Sequence, residues 1–143
     1  MAQTLTFAAD VDAWVKQTKQ RMLAVFRESS QRVASIANNG VPVDTGFARS
    51  SIRASTESMP KIDPSAKGRE GATYPDGLSE IALVIGQAQL GTQLFIGWTC
   101  SYIIPLEFGH SSQAPQGFAR LAAAQWQSIV SQVAAEARSR AGD

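Results

Sequence analysis

From Asp10 to Asn38 apolar residues recur at the three-and-four spacing of one helix face: Val11, Trp14, Val15, Met22, Val25, Phe26, Val33, Ile36 and Ala37. Lys16, Lys19, Arg21, Arg27 and Arg32 fall largely between them. Asp10 or Asp12 sits where the positive end of a helix dipole favours an acid. Asn38-Asn39-Gly40 is a stop signal, because Asn and Gly tolerate the left-handed conformation that ends helices. Val41-Pro42 then requires an extended exit. A second helical stripe, Phe118, Leu121, Ala122, Trp126, Ile129, Val130, Val133 and Ala137, runs from Phe118 to Arg138 and ends beside Arg138 and Arg140.

Between the two stripes the periodicity changes. Asp44-Thr45-Gly46 reads as a turn. Ser50 to Thr56 alternates as a first strand. Leu78 to Gly86 and Leu94 to Thr99 are apolar runs of strand length, and Gln87 to Thr92 can join them as an antiparallel hairpin. Pro105 makes Tyr102 to Gly109 a poor central strand, so a short helix or an edge segment is expected there. Glu57 to Gly77 holds Pro60, Pro64, Pro75, Gly68, Gly71 and mixed charge, and reads as a long loop or arm. Helix, small antiparallel sheet and C-terminal helix packed on the sheet make an α+β architecture. The 143 residues fit one domain, 1–143.

Composition narrows the function. Thirteen Lys and Arg against twelve Asp and Glu leave a net charge of +1, without the basic excess of a dedicated nucleic-acid binder. The lone Cys100 cannot form an internal disulfide, and Cys100 with His110 is too few soft ligands for a closed zinc site. No apolar run approaches the roughly 20 residues of a membrane span, and Met1 to Asp12 lacks the character of a secretory signal, so a soluble chain made inside the cell is expected, with no membrane partner.

Candidate chemistry is sparse. His110 as a general base needs a nucleophile and an orienting acid, and neither is indicated by spacing. A hydrolase built on His110 and Glu107 is the enzyme alternative. Glu107, an acid in an apolar stretch, either carries a raised pKa or bonds backbone or pairs with Arg49 or Arg53. Cys100 reads as a buried structural thiol. Gly86 and Gly91 lack the lysine and the following helix of a phosphate loop. Trp14, Trp98 and Trp126 read as core or interface anchors. No enzyme, metal or cofactor is expected.

Three ordered motifs carry a resemblance. Val41-Pro42-Val43-Asp44-Thr45-Gly46 with Arg49, Ser50, Ser51 and Ile52 resembles a P-V-D-T-G…R-x-S-I signature. Tyr102 to Gly109, with Glu107 and Phe108, resembles Y-x-x-x-[VL]-E-F-G. Ala114-Pro115-Gln116-Gly117-Phe118 resembles the A-P-x-x-F start of a terminal helix. Together, from about Asp10 to Ala137, the chain resembles the HK97-type tail-component family of long-tailed bacteriophages. His110 stands where that family commonly has Thr, and Ala48 where a larger apolar residue is usual.

The resemblance implies a structural virion protein at the head–tail junction, a neck or tail-completion subunit made and assembled in the host cytoplasm. It implies a ring of identical subunits, six-fold in many members, around the DNA channel. The neighbours would be connector or stopper, tail terminator or tail tube proteins. A tail terminator and a small cytoplasmic protein-interaction module are the alternatives. On this reading Pro42, Asp44, Thr45, Gly46, Arg49, Ile52, Tyr102, Glu107, Phe108, Gly109, Pro115 and Phe118 are structural. Asp44 and Thr45 would fix the helix-to-sheet turn, Glu107 would anchor that turn or Arg49, and Phe118 would dock the last helix onto the sheet. The 57–77 segment, with Lys61, Lys67, Arg69 and Tyr74, would be an arm reaching a neighbouring subunit. DNA contact would be non-specific, through phosphate.

Overall fold

A computed structural model describes residues 2–109 and 112–142, with side chains from Thr6 onward. The elements are α1 (Ala2–Gly40), α2 (Phe47–Ser50), β1 (Ile52–Ser55), α3 (Leu78–Gln87), β2 (Phe95–Trp98), α4 (Ile103–Glu107), α5 (Ala119–Ala123) and α6 (Trp126–Ala141). The class is α+β: a long N-terminal helix, a two-stranded antiparallel sheet and a C-terminal helix.

β1 and β2 pair antiparallel, with Ile52 opposite Trp98 and Ser55 opposite Phe95. The segment expected as a strand, Leu78 to Gly86, is instead α3, so the expected 87–92 hairpin does not form. Exposure along the run shows why. Ile81 and Ile85 are buried one turn apart and Leu78 is half-buried, whereas Leu83 is 71% exposed. Strand alternation would put Leu83 on the same face as Ile81 and Ile85; helical periodicity turns it outward. Asp76 Oδ1 accepts from Leu78 N at 3.0 Å, and Glu80 lies in the first turn, where the dipole favours an acid.

The C-terminal stripe is two helices rather than one. At Gln125 the backbone tightens, its N–H donating to Ala122 O at 3.0 Å, three residues back. α5 ends there and α6 begins with Trp126. α6 packs along α1, not on the sheet: Ile129 and Val133 are its buried residues, and Arg32 of α1 reaches Glu136 at 2.6 Å. The sheet is covered by α3. Phe118, just before α5, meets β2, with its ring edge-on to Trp98 at 5.1 Å between centroids.

Two core clusters result. Val41, Ala48, Cys100, Ile103, Ala114 and Phe118 form one; Ala34, Ile52, Ile81 and Ile85 form the other. Trp98 packs against both. Its Nε1 donates to Asn38 Oδ1 at 2.9 Å, and Asn38 Nδ2 donates to Asp76 O at 2.6 Å. Asn38 is fully buried. The residue expected only to stop α1 is a buried polar bolt joining α1, the entry to α3, and β2.

α1 is longer than the expected 10–38. At 1.5 Å per residue its 39 residues span about 58 Å. The C-terminal half is built into the body through Ser29, Ser30, Ala34, Ala37 and Asn38. From Thr6 to Trp14 every residue is exposed.

Asn38→Ala leaves the Trp98 N–H and the Asp76 carbonyl without partners. At about 1–3 kcal/mol per orphaned group, a loss of about 2–6 kcal/mol is expected. It would appear in urea unfolding as a lower midpoint with an unchanged slope.

Candidate functional site

The three motifs meet around one core. Val41 and Ala48 from the first, Ile103 from the second, and Ala114 and Phe118 from the third are buried together with Cys100. Cys100 is fully buried, and burial pushes its thiol up, so it is a packing residue rather than a nucleophile.

The first motif redirects the chain after α1. Pro42 is buried and Asp44 exposed. Thr45 Oγ1 accepts from Phe47 N at 3.3 Å. Gly46 adopts φ +88°, and a Cβ there would stand 3.0 Å from Tyr74 O. Arg49 donates to Val41 O at 3.1 Å and Asn39 O at 2.6 Å, so it satisfies carbonyls at the exit of α1. Ile52, the last motif residue, is fully buried in the second cluster. Gln113 clasps the same exit from outside, accepting from Val43 N at 2.8 Å and donating to Val43 O at 3.0 Å.

The second and third motifs join through Glu107. Its Oε1 accepts from the backbone N–H of Phe118 (2.6 Å) and Ala119 (2.9 Å), and its Oε2 from Arg120 N (3.0 Å). Arg120 Nε adds an ion pair at 3.2 Å, and Arg120 Nη2 donates to Glu107 O at 2.7 Å. Glu107 therefore caps α5 from another element. It pairs with neither Arg49 nor Arg53; Arg53 instead meets Glu80 at 3.4 Å. Nor does it carry a raised pKa. Burial pushes the carboxyl up, but the three backbone N–H groups and Arg120 outweigh that and hold it below its ordinary value. Close approach fixes the joint: a Cβ on Gly117 would lie 2.7 Å from Glu107 Oε1, and one on Gly109 would lie 2.6 Å from Pro115 O. Phe108 is exposed, with the Arg120 guanidinium 4.5 Å above its ring. Tyr102 is partly exposed. Burial first, then the neighbouring Cys100, pushes its phenol up to about 12, so it stays protonated.

The 57–77 segment has no regular element, as expected, but it is strapped to its own body. Asp63 N donates to Thr99 O and Ser101 N to Ala66 O, both at 2.9 Å, and Tyr74 N donates to Thr45 O at 3.2 Å. The Tyr74 ring sits edge-on to Phe47 at 5.2 Å, and its hydroxyl accepts from Arg69 N at 3.2 Å. Lys61, Lys67 and Arg69 face outward. What projects from the body is the N-terminal part of α1.

Comparison of the chain with family models, curated proteins and solved structures returns no match.

His110 lies outside the described residues. Both Glu107 oxygens accept backbone N–H groups, so in the alternative His110–Glu107 pair the acid is already engaged. Among the described residues, no group of three or more His, Cys, Asp or Glu could hold a metal, and no helix is long and apolar enough to cross a membrane.

A second surface went unpredicted. Between the α1 face at Trp14–Phe26, the 89–92 loop and the length of α6 runs an open groove of about 800 Å³ with mainly apolar walls. Arg27 holds the loop against α1, donating through Nε and Nη2 to Ala88 O at 3.0 and 2.7 Å. The signal was present in the sequence: Trp126, Val130, Ala134, Ala137 and Ala141 form one more stripe on α6 than burial against α1 requires.

Because the Glu107 carboxyl is lowered in the folded state, it stabilises fully above the unfolded carboxyl range (about 4.3) and loses that contribution as pH falls through its folded value. Glu107→Gln should lower stability at pH 7 by about 1–3 kcal/mol, mainly through the backbone caps, because Arg120 is half exposed. The gap between variant and wild type should narrow in denaturant titrations carried below pH 4.

Proposed function

We propose that the chain is a non-enzymatic structural subunit of a tailed-phage virion, a neck or tail-completion protein that acts in a ring around the DNA channel at the head–tail junction. One observation carries the reading. The three ordered motifs that resemble the HK97-type tail-component family are not scattered; they fold into one joint that fixes the exit of α1 and the entry to α5. Residues in such a joint report a shared architecture rather than a reaction. Cys100 is buried in that core and Glu107 is spent on helix N–H groups, which leaves both suited to structure.

The partners on this reading are other copies of the chain and the neighbouring neck and tail proteins. DNA passing the ring would meet only dispersed cations such as Lys61, Lys67 and Arg69 on a chain of net charge +1. Electrostatic binding of that kind falls steeply with salt. Retention of duplex DNA should be detectable only at low ionic strength, and should disappear at physiological salt in a filter-binding titration.

The decisive experiment is the position and copy number of the chain in purified particles, by reconstruction and quantitative mass spectrometry. A ring at the head–tail junction is expected, and its layer separates a completion protein from a terminator. Absence from the virion would overturn the reading.

A further inference from the structure

The exposed part of α1 and the groove behind it are complementary. Phe7, Val11 and Trp14 lie at i, i+4 and i+7, one face of the helix, and Phe7 and Trp14 are 69% and 66% exposed. This is the spacing with which an amphipathic helix seats its anchors in an apolar groove. The charges match as well. From Thr6 to Val15 the charged residues are Asp10 and Asp12, both acidic. The groove is lined by the basic Arg138, in the last turn of α6. The small residues Gly91, Ala134 and Ala137 allow close approach of a second backbone, and Leu90 and Met22 are exposed at the rim.

We infer that the projecting N-terminal part of α1 docks, through Phe7 and Val11, into the α1–α6 groove of a second copy of this chain. Trp14 stands at the mouth of its own copy's groove, so it would close the contact rather than fill it. Each copy then offers one helix and one groove. The contact is heterologous, and it propagates head to tail until a ring closes or a filament grows. Area sets its strength. A buried aromatic removes about 150–250 Å² from water, so Phe7 and Trp14, each about two-thirds exposed, contribute about 200–330 Å² together. The helix side has to add Val11 and the neighbouring turns to approach the roughly 800 Å² per partner of a standard stable interface, and association depends on concentration. The inference deepens the ring reading and rests on it for closure.

The test is sedimentation of the full chain from low micromolar to the highest soluble concentration. Wild type should move from the 15.3 kDa monomer to multiples of it. Phe7→Glu with Val11→Glu, and separately Leu90→Glu, should each remain monomeric, with circular-dichroism melting curves unchanged because these side chains are exposed. An equimolar mixture of the two variants retains one intact helix and one intact groove, and should form a dimer and nothing larger. A wild type that stays monomeric, stripe variants that still self-associate, or a mixture that fails to dimerise would each overturn the inference. Virions that contain the ring but assemble normally with the stripe variant would overturn it alone. Self-association abolished by the variants, in a chain absent from virions, would overturn only the placement in a neck.

Discussion

The half-buried Trp98 ring packs against both core clusters, and Asn38 supplies the acceptor for its indole N–H. The same side chain donates to the carbonyl ahead of α3, so one amide adds a polar tie to three elements that already share the cluster of Ala34, Ile81 and Ile85 with Trp98 packed against it. The covering of β1 by α3, the exit angle of α1 and the position of Phe118 against Trp98 all follow from where that ring sits.

The second constraint is electrostatic. The first turn of α5 presents N–H groups that the helix itself cannot satisfy. Glu107 accepts three of them from a different element, with Arg120 folded over the outside. This joins the second motif to the third by more than packing, and it explains Gly117, where a side chain would strike the clasp; at Gly109 a side chain would strike the Pro115 backbone instead. A carboxylate whose oxygens are so fully used has nothing left to offer a substrate.

Elements with unbroken periodicity were legible in the sequence. α1, the pairing segments 52–55 and 95–98, the short helix after Tyr102 and the irregular stretch 57–77 stand close to where pattern and breakers place them. The failures have physical causes. Leu78 to Gly86 is apolar enough to satisfy either period, and only the outward Leu83 separates them. The break at Gln125 leaves no mark, because its neighbours are good helix formers. Asn38 and Glu107 were noticed for their local meaning, a helix stop and an odd acid, whereas their partners lie dozens of residues away or across a motif boundary. Half of the groove is legible, as the extra stripe on α6, but its other wall comes from α1, and no sequence window contains the two helices together.

That separation bears on how the chain comes to be folded. Arg32 finds Glu136 across 104 positions, and the whole buried flank of α1 waits for α3, α5 and α6. During synthesis α1 emerges with an apolar face and no partner, and β1 waits for β2 behind a loop and a helix. Contacts so distant along the chain close slowly, and the uncovered face is open to wrong company in the interval. For a chain arranged this way, crowding of unfinished copies is the condition that most favours aggregation.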